Sequence, residues 1–206
     1  MIAEASTAAI ELAEALVARG GRLLGITGPP GAGKSTLAAV LVAHFGDRAR
    51  LLPMDGFHLA DDELARRGSL QRKGAPDTFD AAGFVVALAR VRARHDDVLV
   101  PRFDRDIEAA IAGSIRIEPD VDLVVTEGNY LLLDEPPWSQ VVAHLDETWM
   151  LRLGDSERVE RLVARHIAHG RSPEAARRWV ADVDEPNATL VARRSLPPDV
   201  WLDVTP

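Results

Sequence analysis

Leu23-Leu24-Gly25-Ile26-Thr27-Gly28-Pro29-Pro30-Gly31-Ala32-Gly33-Lys34-Ser35-Thr36 is the stretch on which the fold turns. A short apolar run meets G-x-x-x-x-G-K-[ST] and passes directly into a segment of helical periodicity, the context a phosphate-binding loop requires. Glycines at 28, 31 and 33 let the backbone arch with its N–H groups inward. The helix beyond presents its positive end, and the two together make an anion nest. Lys34 is expected to reach the terminal phosphates of a nucleoside triphosphate. Ser35 is expected to place its hydroxyl on Mg²⁺, and Pro29, Pro30, Ala32 and Thr36 complete the expected nucleotide contacts.

Outward from that loop, the chain alternates. Ala8 to Val17 reads as a helix, Leu23 to Thr27 as a buried strand, Lys34 to Phe45 as a helix and Arg50 to Met54 as a second strand. Ala82 to Arg94 reads as a helix, Val98 to Val100 and Val121 to Thr126 as strands, Thr148 to Leu153 as another strand and Ser156 to Ala168 as a helix. Ser172-Pro173-Glu174 carries a cap, a first-turn proline and an early acid, all signs of a helix start. Such alternation predicts an α/β fold: one domain with a mainly parallel sheet, helices on both faces and ligands outside the carboxyl ends of the strands.

Bulk properties limit the function classes. The 206 residues suit one domain, and a formal net charge of -8 argues against a general nucleic-acid or anionic-membrane partner. Without cysteine there is no disulfide, thiolate metal site or cysteine nucleophile. No apolar run approaches the length of a membrane span and the start lacks the pattern of a signal peptide, so a cytoplasmic location is expected. The expected partners are a small-molecule substrate and, at most, a second copy in a homodimer. Only two of the 24 basic residues are lysine, Lys34 and Lys73.

Many protein classes share the nucleotide loop, so other residues must choose among them. The guanine-reading Asn-Lys-x-Asp and the transporter Ser-Gly-Gly strings do not occur. Asp55, in Asp55-Gly56-Phe57-His58, falls at the end of the second strand, where a carboxylate can orient an alcohol and take its proton. Glu127 ends the run from Val121 and is the candidate for holding Mg²⁺. Arg158, Arg161 and Arg165 recur at helical spacing, with Arg171 in the turn beyond, and could form a lid over about 154 to 184 that neutralises phosphate charge. An ordinary solvated face fits the same spacing, since Glu157 and Arg161 make an i,i+4 pair. Pro101-Arg102-Phe103-Asp104-Arg105 follows the strand ending at Val100 and is expected at the acceptor pocket; a surface pair of Arg102 with Asp104 is the alternative. His58 and Arg72 are further acceptor-side candidates, with Lys73 beside them.

Taken in order, Gly28 to Ser35, Asp55-Gly56-Phe57-His58, Arg72-Lys73-Gly74-Ala75-Pro76-Asp77-Thr78-Phe79-Asp80, Pro101-Arg102-Phe103-Asp104, Glu127-Gly128-Asn129-Tyr130 and the arginine helix resemble the phosphoribulokinase/uridine kinase family, which includes bacterial pantothenate kinase. The likeness spans about Leu23 to Arg171 and is nearest to a bacterial branch labelled nucleoside/nucleotide kinase or fructose transport system kinase. It implies an ATP- and Mg²⁺-dependent kinase acting on a hydroxyl of a sugar, nucleoside or related metabolite. Asp55 would be the base, Glu127 would lie near Mg²⁺, and Arg161 and Arg165 would sit in a mobile lid. Uridine kinases usually have Asp-Ser-Phe-Tyr at residues 55–58, a ribose-reading aspartate at Gly74 and a base-reading histidine at Glu108, while pantothenate kinases follow Asp-Gly-Phe with a Leu-Tyr type continuation. The resemblance therefore does not carry either acceptor over. A regulatory or assembly ATPase without a small acceptor is the second class compatible with the nucleotide loop.

Overall fold

The computed structural model describes residues 2–204, with side chains from residue 7 onward. In chain order the elements are α1 (Ile2–Ala18), β1 (Leu23–Thr27), α2 (Lys34–Phe45), β2 (Ala49–Pro53), α3 (Asp61–Arg66), α4 (Ala81–Ala93), β3 (Val98–Asp104) and β4 (Ala109–Ile117). They continue with β5 (Leu123–Glu127), β6 (Glu147–Arg152), α5 (Asp155–Ala168), α6 (Pro173–Trp179), α7 (Glu185–Arg194) and β7 (Val200–Asp203). Five strands form one wholly parallel sheet in the order β2-β5-β1-β6-β7.

Every residue of β1 and β5 is buried, as a strand covered on both faces must be. Successive side chains then alternate between two cores. Leu23 and Val124 pack with Phe84, Leu88 and Val91 of α4, whereas Leu24, Ile26, Leu123 and Val125 pack with Leu37, Ala38 and Leu41 of α2 and with α1. Because the chain leaves β1 toward β2 on one side and returns to β6 on the other, the strand order switches at β1, directly above which the nucleotide loop lies.

β1 starts where a partly exposed carboxylate receives its first N–H groups. Asp146 Oδ2 accepts hydrogen bonds from the backbone N–H groups of Arg22 and Leu23, each at 2.8 Å, and Oδ1 accepts one from Arg92 at 2.9 Å. Burial acts to raise its pKa, but the two N–H groups and Arg92 outweigh that and hold the carboxyl below its ordinary value. A depressed folded pKa contributes stability that is present above the unfolded value near 4 and is lost as pH falls through the folded value. Asp146→Asn is therefore expected to cost about 2 kcal/mol at pH 7. The gap from the unaltered chain should narrow as pH falls below the unfolded value near 4, and urea unfolding across pH measures it; a pH-independent gap would refute the assignment.

Two expectations need correction. The strand at Val98 runs on to Asp104 and belongs not to the parallel sheet but to a separate antiparallel hairpin with β4, with the register shifting at Pro101, a residue that has no N–H to pair. Helix α1 extends back to Ile2, since the segment ahead of Ala8 holds neither proline nor glycine to stop it. After α6 the helix continues through a π-helical turn, Val180–Asp184, into α7, whose first turn holds Pro186. Among the described residues no helix is long and apolar enough to cross a membrane.

Candidate active site

A cavity of about 580 Å³ opens at the carboxyl ends of the strands. Its nucleotide end is the loop between β1 and α2. Gly31 has φ +84°, and a Cβ there would stand 2.8 Å from Leu162 Cγ and 3.0 Å from the Arg158 carbonyl, so only glycine permits α5 to press on the arch. Lys34 is buried and donates from Nζ to the carbonyls of Gly28 and Pro29, each at 3.0 Å. Burial lowers its pKa, opposed by the nearby carboxylates of Glu127 and Asp55. Ala32 is packed into the core, and Thr36 is exposed on the first turn of α2, outside the cavity lining.

Glu127, at the last position of β5, is buried beside Ser35. Burial and the neighbouring Asp55 raise its pKa, while Lys34 and the Ser35 hydroxyl pull the other way. A hard divalent cation takes oxygen ligands, and a hydroxyl meeting a carboxylate at the mouth of an anion nest is a donor set that fits Mg²⁺.

Asp55 lies in the tight turn Met54–Phe57 that ends β2. Its position is fixed from above by the hairpin. At Gly56 a Cβ would collide with the carbonyl of Pro101, so the Asp-Gly pair is what allows β3 to cover the carboxylate. Arg105, in the turn between β3 and β4, reaches down to donate to Asp55 Oδ2 at 2.6 Å. His58 Nδ1 sits 2.8 Å from the Asp55 carbonyl oxygen, and its ring is flanked by Phe79 at 4.0 Å and Phe103 at 4.7 Å. Burial there lowers the imidazole pKa, and the neutral ring is favoured.

The predicted residues do not all converge. Pro30, Gly31, Lys34, Ser35, Asp55, His58, Phe103, Arg105, Glu127 and Arg165 line the one cavity. Asp104 instead pairs with Arg102 at 3.2 Å, and Arg72 pairs with Asp77 at 2.7 Å on the surface; neither lines it. Nor do the three arginines of α5 share a face toward the ligand. Arg158 is turned inward, 2% exposed, and holds Glu185 at 2.7 Å and Asp155 at 3.1 Å, tying α5 to α7. Arg161 pairs with Glu157 but keeps Nη1 3.9 Å from the Cβ position of Gly33, beside the nucleotide loop. Arg165 reaches the cavity, and no hydrogen bond or ion pair engages its guanidinium among the described residues.

Of the acceptor-side candidates, Lys73 and not its neighbour Arg72 lines the cavity, donating to Asp61 Oδ1 and to the Glu108 carbonyl, each at 2.7 Å. Sequence reasoning missed other parts of the wall. Tyr130 holds that loop in place by donating from its hydroxyl to the Gly74 carbonyl at 2.5 Å. His166, Trp179, Asp184 and Asn187 close the far side, and Arg171 lies 4.0 Å over the Trp179 ring. The π-helical turn brings Asp184 in. A single extra residue in a helix leaves no periodic signature in sequence, so that part of the wall was not readable.

No family model matches the chain. It is 34% identical over 193 residues to a putative uridine kinase of Schizosaccharomyces pombe, covering 87% of this chain and 82% of that protein. Pantothenate kinase of Corynebacterium efficiens is 28% identical over 192 residues, and the chain spans 56% of that longer protein. Among solved structures, a putative fructose transport system kinase from Silicibacter sp. TM1040 superposes with a TM-score of 0.81 at 37% identity, covering 94% of this chain and 98% of that one.

Proposed function

The chain belongs to the phosphoribulokinase/uridine kinase family of P-loop kinases, and from that premise we propose a division of labour among its residues for phosphoryl transfer from ATP to an alcohol. It is an ATP-dependent kinase of a small molecule, a phosphotransferase with an alcohol group as acceptor. The observation that carries the residue roles is the meeting of Lys34, Asp55, Glu127 and Arg165 around one cavity at the mouth of the nucleotide loop.

The inward N–H groups of Gly28 to Ser35 and the start of α2 bind the phosphates of ATP, and Lys34 moves from its carbonyl partners to the terminal phosphate oxygens. Ser35 and Glu127 hold Mg²⁺, which when bound offsets the phosphate charge. The acceptor oxygen forms its bond to the γ-phosphorus as the bond to the ADP oxygen breaks, and the hydroxyl proton passes to Asp55. Arg105 must release the Asp55 oxygen for that role. Arg165, and Arg161 beside Gly33, bear on the charge of the transferred group. Residues of about 154 to 184 act as a lid in this reading, but the packing of Leu162 and Arg158 against Gly31 supports a fixed base at the start of α5, with movement toward the Arg165 end.

ADP production by the full chain with ATP and Mg²⁺ tests the reading against sugars, nucleosides and pantothenate. At least one acceptor should raise the rate about tenfold or more above its basal value. A rate that stays basal with every metabolite and rises with a protein partner would support the assembly-ATPase alternative instead.

A further inference from the structure

An isolated antiparallel bridge to Phe79 fixes His58 over the acceptor side of the cavity. On either side of that bridge the Leu59 N–H donates to the Thr78 carbonyl at 3.0 Å and the Asp80 N–H to the Phe57 carbonyl at 2.8 Å. The imidazole lies against the rings of Phe79 and Phe103, and its Nδ1 is 2.8 Å from the Asp55 carbonyl oxygen. A carbonyl oxygen can only accept, so the proton of the neutral ring is on Nδ1 and Nε2 carries a lone pair. That lone pair meets no donor among the described residues, although His58 lines the cavity. With two aromatic rings against it and Nδ1 turned to the backbone, the ring edge left to the cavity is the one that bears Nε2.

We propose that His58 is a specificity residue of the acceptor site, whose Nε2 accepts a hydrogen bond from a hydroxyl or N–H of the acceptor molecule other than the hydroxyl that gives its proton to Asp55. The inference rests on the kinase reading of the same site. It narrows the acceptor to alcohols with a second donor group near the reacting oxygen, because His58 and Asp55 belong to one turn, closed by the His58 N–H on the Asp55 carbonyl at 3.2 Å. An alcohol without that group would leave the lone pair desolvated and unpaired, which is how a hydrogen-bonding site rejects a near analogue. The surroundings keep the ring neutral. Burial lowers the imidazole pKa, Asp55 on its own turn opposes that, and Lys73 from the loop ahead of Phe79 and Arg105 from the hairpin tip add to it. Nε2 is therefore an acceptor at neutral pH and turns into a donor only below the ordinary histidine value of about 6.5.

Two substitutions separate this role from that of a histidine that only caps its turn. Asparagine can keep an amide N–H on the Asp55 carbonyl but has nothing at the Nε2 position, whereas glutamine carries an amide oxygen out to that position and loses the cap. The probes are glycerol, ribose, uridine and pantothenate, assayed for ADP production at saturating ATP, and the variants are compared on each one that the unaltered enzyme phosphorylates. His58→Asn should raise the acceptor KM about tenfold or more with the KM for ATP within about twofold, and His58→Gln should recover most of the loss. In the unaltered enzyme the acceptor KM should be level above about pH 7 and rise as the pH falls below about 6, and the rise should vanish in His58→Gln. The reverse order of the two variants, or a glutamine enzyme no better than the asparagine one, overturns the inference and leaves the kinase reading standing. Absence of turnover with every probe overturns both together. Should either variant fail to fold, the pH profile is read on an enzyme in which His166 and His169, the other histidines of the cavity, are changed to glutamine. A rise in acceptor KM at low pH then supports the assignment, and a level one overturns it.

Discussion

Replacing Asp55 with asparagine is expected to lower kcat by a factor of about 10² to 10⁴ while the KM for ATP stays within about twofold. The substitution keeps the shape of the side chain and an oxygen for Arg105, so the turn after β2 and the hairpin above it have no reason to move. What disappears is the capacity to accept the proton of the attacking hydroxyl, a group far too weakly acidic to be ionised near neutral pH. Nucleotide contacts lie elsewhere, on Gly28 to Ser35, which is why binding and turnover should separate. Steady-state kinetics with a productive acceptor measures both constants. Unchanged kcat would take Asp55 out of the chemistry and leave its carboxylate as no more than the partner of Arg105.

Lys34→Ala should fail differently, reducing kcat/KM for ATP by a factor of about 10³. The ammonium is buried and held by two loop carbonyls, which places it at the mouth of the nucleotide loop. Removing it takes a buried cation from the nest and leaves Glu127 and Asp55 without the positive charge between them and the phosphates. Arginine should not rescue the activity, because a planar guanidinium cannot occupy the space of a compact ammonium enclosed by the loop. Nucleotide titration followed by fluorescence, together with turnover, distinguishes the two variants: Asp55→Asn binds ATP and does not use it, whereas Lys34→Ala loses both functions.

The legible parts of this molecule were those governed by short-range rules. Leu23–Thr27 and Lys34–Phe45 have the bounds expected from their residues, because an apolar run closed by glycine and a periodic segment opened by Lys34 allow little else. Asp55 and Glu127 each end a buried run, so their arrival at one rim followed from parallel strand order. The hairpin escaped for the opposite reason. β4 is Ala-rich and largely exposed, and the seating of the hairpin over Asp55 depends on Pro101 meeting Gly56, a contact between residues far apart in sequence. The reading of α5 was incomplete for a related reason. Helical spacing put Arg158, Arg161 and Arg165 in register, but only the position of α7 decides that Arg158 turns inward to Glu185. Asp184 and Asn187 were invisible because a π-helical turn, not a periodicity, aims them at the cavity.

Following the labelled γ-phosphate of ATP is the most direct trial of the whole account. With Mg²⁺ and a productive acceptor, the label should leave ATP and appear in a phosphate ester of that acceptor, one ester for each ADP formed, and Asp55→Asn should abolish the ester. Label recovered only as inorganic phosphate, whatever alcohol is supplied, would contradict it.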